Sequence, residues 1–524
     1  MEINSGPKNF SNKRIILFLE TADNPFYYQY IYAIAKKINE SKGSLRIVTL
    51  NESFSTHKIG NFPRYLKRRR AFKFVQLNLL ASYPNVSITH KSAKVTYSMN
   101  KYIRRKLKSL KVTKQLSEVF PEYKYLGPSL HSLSTSAFTM SSDPKAKITK
   151  YKKLLVRSCS TYFSYFKIAQ DSIQEFNPEL LILLNGRTPE QAVFREVADN
   201  IKLPWLCLEH GAKPGITYFL EAFQTQDRQK TQDLIRDCSQ KFSAKEIRHI
   251  EMKIDDWIIR QSSDHIQNPT LSLRELKASD FLNCELNFPI FTSSIDEEMS
   301  CPNWSDDNVR NLTDKTVKVS KVSTLIGLYP VVVIHPNTLN KKWHDLSLIY
   351  TELNNQGIKV ALPWHEVSSY EYLEKCKIFA TWRSTIGLEG VIRGKQVVLL
   401  SDTVYDQLIK FKSIENINFS NIENENREQT DSLFAKLTIY YYTNFGYDLF
   451  ENLTDSEIEN IKNYEKLLPL GGLIRSIRNR CLKYLRPFKL YGATPREVFD
   501  FLSLFMSRNQ VESVMKFLIK HYRY

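Results

Sequence analysis

VVVIHPNTLNKKWHDLSLIYTELNNQGIKVALPWHEVSSYEYLEKCKIFATWRSTIGLEGVIRGKQVVLL, residues 331–400, holds the pattern that decides the fold. Its apolar runs, Val331–Ile334, Lys359–Leu362, Ile378–Thr381 and Gln396–Leu400, are short and rich in β-branched residues, as strands buried on both faces are. Between them, residues 344–355, Ser369–Lys375 and Ser384–Arg393 have helical spacing. One more strand, Pro289–Ser293, precedes the set. Strands alternating with helices over short connections bury their apolar faces as a doubly wound parallel sheet.

Toward the N-terminus the pattern repeats. Arg14–Glu20 and Leu45–Leu50 read as strands around a helical Tyr27–Asn39. After a long helical stretch, Tyr151–Glu175, come the strand Leu180–Leu184, the helix Pro189–Asn200 and the strand Trp205–Glu209. Residues 226–260 read as a charged helix. Beyond about residue 410 the strand signal fades, and helical spacing recurs at 428–444, 455–466, 472–485, 495–506 and 510–522. The expected organisation is an α/β domain at 1–215, a helical connector at 216–285, a second α/β domain at 286–410 and a helical tail at 411–524. Each α/β domain is expected to be Rossmann-like, the two facing a ligand cleft at the carboxyl ends of their strands.

The composition is that of a globular chain, with 42% hydrophobic and 25% charged residues, so disorder over most of its length is excluded. A formal net charge of +19 points to polyanionic partners: nucleic acid, an anionic membrane face or phosphorylated substrates. Zinc-finger spacing, RNP-type motifs and Gly-rich KH loops are absent from the sequence, which sets nucleic acid aside. The seven cysteines are dispersed with no C-x-x-C pair, which suits reduced thiols and leaves no metal site to expect. The first apolar run, Ile15–Leu19, is shorter than a signal h-region of roughly 7–15 residues, and no run approaches the ~20 of a membrane span. A cytoplasmic protein is expected, peripheral on the inner face of the cytoplasmic membrane if its basic surfaces dock there.

Four motifs follow strands. In TWRSTIGLEGVIRGKQVVL (381–399), Ser384 and Thr385 open a helix beside Arg383, an arrangement suited to phosphate. Gly387 would admit a close ligand approach, and Glu389 could accept ribose hydroxyls. The same residues also read as a capped helix, with Gly387 for packing. His335-Pro336-Asn337 ends another strand, where an imidazole can donate to a phosphate. In the first domain, Asn185-Gly186-Arg187 and Glu209-His210-Gly211 follow strands. Glu209, with His210 second, is the candidate to take a proton from a bound hydroxyl; a structural turn is the equal alternative. Asn185 and Arg187 belong to that acceptor side. Finally, FTSSIDEE (291–298) offers Ser293 and Ser294 to a phosphate, while Asp296–Glu298 read as a solvated acidic cap rather than metal ligands.

Taken in order, N-G-R, E-x-G, F-T-S-S-x-D-E, H-P-N, Ser368-Ser369-Tyr370 and W-x-S-T-x-G-x-E with G-K-x-V-V-L resemble the capsule polysaccharide biosynthesis family of GT-B transferases over roughly residues 180–405. Gly390 stands where that family usually has a small apolar residue. The resemblance implies a GT-B-like fold and a metal-independent, inverting glycosyltransferase without a cofactor. Its donor would be a nucleotide-sugar, and its acceptor a glycan or lipid-linked glycan of a bacterial surface polysaccharide (capsule, O-antigen or lipopolysaccharide). The H-P and S-T elements are similar to those of sialyl- and Kdo-type transferases, which implies a CMP-linked sugar held by His335, Ser384 and Thr385, with Glu209 as base. A nucleotide-sugar 2-epimerase, or a non-catalytic glycan-binding scaffold, would share the fold. Basic stretches at Arg68–Arg70 and Arg104–Lys114 fall in the first domain, where the resemblance puts the acceptor; a basic amphipathic helix at 472–485 suits an anionic membrane surface, with a core-packed helix bearing a solvated basic face the slightly favoured alternative.

Overall fold

The computed structural model describes residues 10–19, 25–50, 82–91, 96–108, 144–184, 186, 189–210, 216–222, 227–263, 287–293, 306–335, 338, 343–363, 369–403, 405–406, 429–444, 447–448, 453–454 and 507–521. By packing, the chain divides into two compact units. One is Met1–Thr225 with Thr443–Leu490; the other is Gln226–Tyr442 with Tyr491–Tyr524.

The first unit contains β1 (Arg14–Leu19), α1 (Pro25–Glu40), β2 (Ser44–Leu50), β3 (Val86–Lys91), α2 (Tyr97–Lys108), α3 (Pro144–Phe176), β4 (Leu180–Leu184), α4 (Pro189–Asn200), β5 (Trp205–His210) and β6 (Ile216–Glu221). Its sheet runs β3-β2-β1-β4-β5 in parallel, the doubly wound order, and β6 then adds antiparallel to β5. β1 is central, and Ile15–Phe18 are fully buried, as a strand covered on both faces requires. Phe194 of α4 stacks on Phe18 with ring centroids 3.8 Å apart.

The second unit contains α5 (Arg228–Lys241), α6 (Ala244–Ser263), β7 (Asn287–Phe291), α7 (Asp306–Leu325), β8 (Tyr329–Val333), α8 (Trp343–Asn355), β9 (Lys359–Ala361), α9 (Ser369–Lys375), β10 (Ile378–Thr381), α10 (Ile386–Ile392), β11 (Gln396–Leu399), α11 (Gln429–Asn444, its last residues beyond the unit boundary) and, last in the chain, α12 (Arg508–His521). All pairings are parallel in the order β9-β8-β7-β10-β11, the same winding as in the first unit. The short strand β12 (Tyr447–Asp448) pairs antiparallel with β6.

Two Rossmann-like α/β domains with helices toward the C-terminus make the GT-B-like fold expected from the sequence. The connector differs in detail. Ile216–Glu221 is a strand of the first sheet rather than part of a helical link. The helix read over 226–260 is two helices, broken at Phe242-Ser243. Ser243 opens the second with a capping box: its backbone N–H and hydroxyl reach Glu246 Oε2 at 2.8 Å, and Glu246 N–H returns to Ser243 Oγ at 3.4 Å. The tail helices read over 455–466, 472–485 and 495–506 lie outside the described residues.

α10 lies against β10 closely enough that a Cβ on Gly390 would run into the ring of Phe379. That ring packs edge-on against Phe291 of β7, 5.4 Å between centroids, and has no room to retreat. Gly390 therefore sets the helix-to-sheet distance under the phosphate motif. Gly390→Ala is expected to destabilise the protein by about 1–3 kcal/mol through overpacking. Chemical denaturation measures this, and an unchanged midpoint would show the helix free to lift.

Candidate functional site

In the order β9-β8-β7-β10-β11 the winding reverses between β7 and β10, and the carboxyl ends at such a switch point are where open α/β sheets bind ligands. β7 ends at Phe291 and is followed by Thr292 and Ser293, which are 1% and 7% exposed. Thr292 Oγ1 accepts the backbone N–H of His335, just beyond β8, at 2.9 Å. Ser293 Oγ accepts the backbone N–H of Arg383, just beyond β10, at 3.0 Å. The loop ends after β8, β7 and β10 are thus tied side by side. His335 and the 383–385 segment, 48 residues or more apart in the chain, sit at the same edge two strand spacings from each other, ~10 Å between backbones. His335 is half-buried, as are Arg383 and Ser384, whereas Thr385 is exposed.

The start of α10 differs from the sequence reading. The helix begins at Ile386, not Ser384, and is seven residues long. Thr385 occupies the N-cap with helical angles (φ −58, ψ −17) and makes no side-chain capping bond. The N–H groups of Gly387 and Leu388 are taken by Ser384 O at 3.0 Å and Thr385 O at 2.9 Å, and that of Ile386 reaches Ser384 Oγ at 3.4 Å. The backbone N–H groups of Ser384 and Thr385 take no partner among the described residues. An anion would therefore be met by these two N–H groups and their hydroxyls, not by the first turn of the helix. Gly387 also differs. The hydroxyl of buried Tyr405 lies 2.8 Å from where its Cβ would be, so this glycine admits Tyr405 rather than a ligand. Tyr405 in turn donates to Ser384 O at 2.6 Å.

Glu389 is 4% exposed, and burial pushes its carboxyl from the ordinary 4.5 up to about 7. A hydrogen bond from Tyr370 and the charge of Arg393 oppose that shift. Arg393 lies 5.9 Å from the centroid of the Tyr370 ring and donates to Ile258 O at 3.3 Å. Glu389 Oε2 has no hydrogen-bond partner. Tyr370, quoted above only as part of a motif, thus belongs with Glu389. Thr292, Tyr405 and Arg393 were not singled out at all. A hydroxyl following a central strand signalled Thr292; nothing local signals the other two.

In the first unit, β5 runs on through Glu209 and His210, which stand opposite Tyr218 and Thr217 of β6. Glu209 is therefore a strand residue, 8% exposed, and not part of a turn. Gly186 takes φ 68, and its N–H bonds Leu184 O at 2.8 Å and Gln191 Oε1 at 3.1 Å. Asn185, Arg187, Ser294, Asn337 and the acidic run 296–298 lie outside the described residues. Among the described residues no group of three His, Cys, Asp or Glu could hold a metal ion.

The family described as "Capsule polysaccharide biosynthesis protein" matches residues 212–410, less than half of the chain. No curated protein matches. Among solved structures, the Thermosulfurimonas dismutans KpsC beta Kdo 2,4 transferase aligns at 15% identity over 50% of this chain and 79% of that one, with a TM-score of 0.34. The Neisseria meningitidis UDP-GlcNAc 2-epimerase bound to UDP-GlcNAc aligns at 12% over 87% and 99%, with a TM-score of 0.30. A putative UDP-N-acetylglucosamine 2-epimerase from Listeria monocytogenes aligns at 10% over 91% and 98%, with a TM-score of 0.29. At these scores the likenesses decide nothing about chemistry.

The buried carboxyl has a pH signature. Its folded value of about 7 exceeds the ordinary 4.5, so the unfolded chain ionises first as pH rises. Stability is full below about 4.5, falls between 4.5 and 7, and is flat above. Glu389→Gln should remove a slope on the order of 3 kcal/mol over that window. Thermal melts of both proteins from pH 4 to 8 check this, and parallel profiles would sink it.

Proposed function

We propose that this chain is a nucleotide-sugar enzyme of bacterial surface-polysaccharide assembly, and that the reaction is glycosyl transfer. The observation that supports it is the pair of hydroxyl-to-backbone bonds, Thr292 to His335 and Ser293 to Arg383, at the reversal of the second sheet. They hold an imidazole on one side and a hydroxyl pair with a guanidinium on the other, at a separation that a phosphate and two side chains span. The match of residues 212–410 to a capsule polysaccharide family covers the same segment.

In this reading His335, Arg383, Ser384 and Thr385 take the phosphate of the donor, with Asn337, Ser293 and Ser294 in the same cradle. Glu389 accepts a ribose hydroxyl, which supplies the donor that its Oε2 lacks. The acceptor hydroxyl gives its proton to Glu209, with His210 as the second candidate and Asn185 and Arg187 on the acceptor side. The oxygen attacks the anomeric carbon, the glycosidic bond to phosphate breaks with inversion, and the nucleotide leaves with the negative charge. Histidine and arginine stabilise that charge, so this step asks for no metal. The nucleotide is CMP and the compartment the cytoplasm.

A nucleotide-sugar 2-epimerase is the second reading, because the same phosphate cradle serves a donor that reacts without an acceptor. Its product separates the two: an epimerase interconverts the free nucleotide-sugar, whereas a transferase consumes it only when a glycan acceptor is added. Binding without either reaction would point to a non-catalytic glycan-assembly scaffold.

A thermal-shift panel of CMP-, UDP-, GDP- and dTDP-ligands tests the site directly. One class should stabilise the protein by about 2.7 kcal/mol at a hundredfold excess over Kd. That shift should vanish in His335→Ala. Each of Ser384→Ala and Thr385→Ala should weaken binding about tenfold, as expected for a hydrogen bond to a charged group. Full affinity in the double hydroxyl variant would place the phosphate elsewhere.

A further inference from the structure

α2 presents a surface that the nucleotide site does not use. Its sequence, YSMNKYIRRKLK, contains no acidic residue. Ile103 and Leu107 are buried, and Met99 and Asn100 face α3, bonded by Ser164 and Ser160 at 3.6 and 2.6 Å. The rest of the circumference is open. Lys101, Arg104, Arg105 and Lys106 are all exposed, and so are Tyr97 at 83% and Tyr102 at 47%. Lys106 lies 5.9 Å from the centroid of the Tyr102 ring. At 100° per residue, the exposed cations and tyrosines sweep an arc of about 200°.

We propose that this face of α2 docks on the anionic surface of a lipid bilayer. Tyrosine is the side chain that gains from a water–lipid boundary, with its ring toward the acyl region and its hydroxyl in the headgroups. Lysine and arginine on the flanks of the arc reach the same plane by extending their aliphatic stems. The face is the convex outside of a helix already packed on its other side, which meets a plane along its length but offers no groove to a single polymer strand. Four exposed cations on a helix whose own sequence holds no acidic residue complement anionic headgroups. Among the described residues no helix is long and apolar enough to cross a membrane, so attachment here is peripheral. α2 leaves from the carboxyl end of its sheet, the end at which β5 carries Glu209. This rests on the proposed function in one respect: docking would bring that end toward a lipid-linked acceptor.

Flotation of the full chain with vesicles tests the proposal. The protein should float with 3:1 phosphatidylcholine/phosphatidylglycerol vesicles at low salt, stay behind with phosphatidylcholine alone, and be released at high salt. Each cation lost should cost roughly fivefold in partition, and its reversal more. Lys101→Glu, Arg104→Glu, Arg105→Glu and Lys106→Glu together should therefore abolish flotation, and Tyr97→Ala with Tyr102→Ala should weaken it. All six positions are exposed, and unchanged melting temperatures confirm that the variants fold. Flotation of the charge-reversal variant like wild type overturns the proposal. So does binding that depends on α2 only with a soluble acidic polysaccharide. The nucleotide thermal shift is read in parallel: its loss from wild type while flotation persists counts against the donor site and leaves the docking surface standing.

Discussion

The second domain depends on how its central strand stops. β7 is flanked on both sides by parallel strands, and beyond Phe291 their backbones no longer find carbonyls across the ladder. Thr292 and Ser293 replace those carbonyls with hydroxyls, one turned toward His335 and one toward Arg383. The second bond crosses the place where the winding reverses, just past the last ladder bond from Trp382 N–H to Phe291 O. An apolar residue at either position would leave a backbone N–H unpaired at a cost of ~1–3 kcal/mol. The two short side chains hold the edge closed.

The segment from Trp382 to Ser384 is held by bonds from several elements. The Trp382 N–H bonds Phe291 O at 3.0 Å, and its fully buried indole donates to Thr316 Oγ1 of α7 at 2.9 Å. Thr316 passes the bond on to Leu312 O at 2.7 Å. Tyr405 holds Ser384 O from below. Among the described residues the backbone N–H groups of Ser384 and Thr385 take no partner, while the Ser384 hydroxyl accepts the Ile386 N–H at 3.4 Å. Donors locked by their surroundings need little rearrangement when a charge arrives, which is how preorganised anion sites gain affinity.

The strands and their alternation with helices were readable because period and residue type agree locally. Val331–Val333 and Ile378–Thr381 are apolar enough to be strands whatever surrounds them. Strand order was not readable. That β7 lies between β8 and β10, and so ties His335 to Arg383, follows from packing over the whole sheet and from no local pattern. Polar and short elements escaped for the converse reason. α7 carries Thr313, Thr316, Ser320 and Ser323 on its buried face, hydroxyls that bond back to the preceding turn or across to Trp382 and so hide its inward side from any apolar periodicity. β6 follows β5 where the sequence suggested a link. The helix break at Ser243 was visible as Ser-x-x-Glu and went unread. At the candidate site, the residue types alone do not fix the roles of the glycines. Gly387, readable as ligand approach or as packing, and Gly390 each yield space to an aromatic side chain that sequence separation conceals.

Glu389 shows what such a site costs its own domain. A carboxyl 4% exposed with one oxygen unpartnered is an expensive group to bury, and the domain meets the expense by retaining the proton to about pH 7. Glutamine would fill the same space without that penalty. A folded chain selected only for stability has no reason to keep the acid between Tyr370 and Arg393. In the proposed function it accepts a ribose hydroxyl, and a diol bound there would supply the donors that desolvation removed and favour the ionised carboxyl. On that reading the strain has a direction, because the carboxyl that lowers stability at neutral pH would be relieved by whatever donates to it.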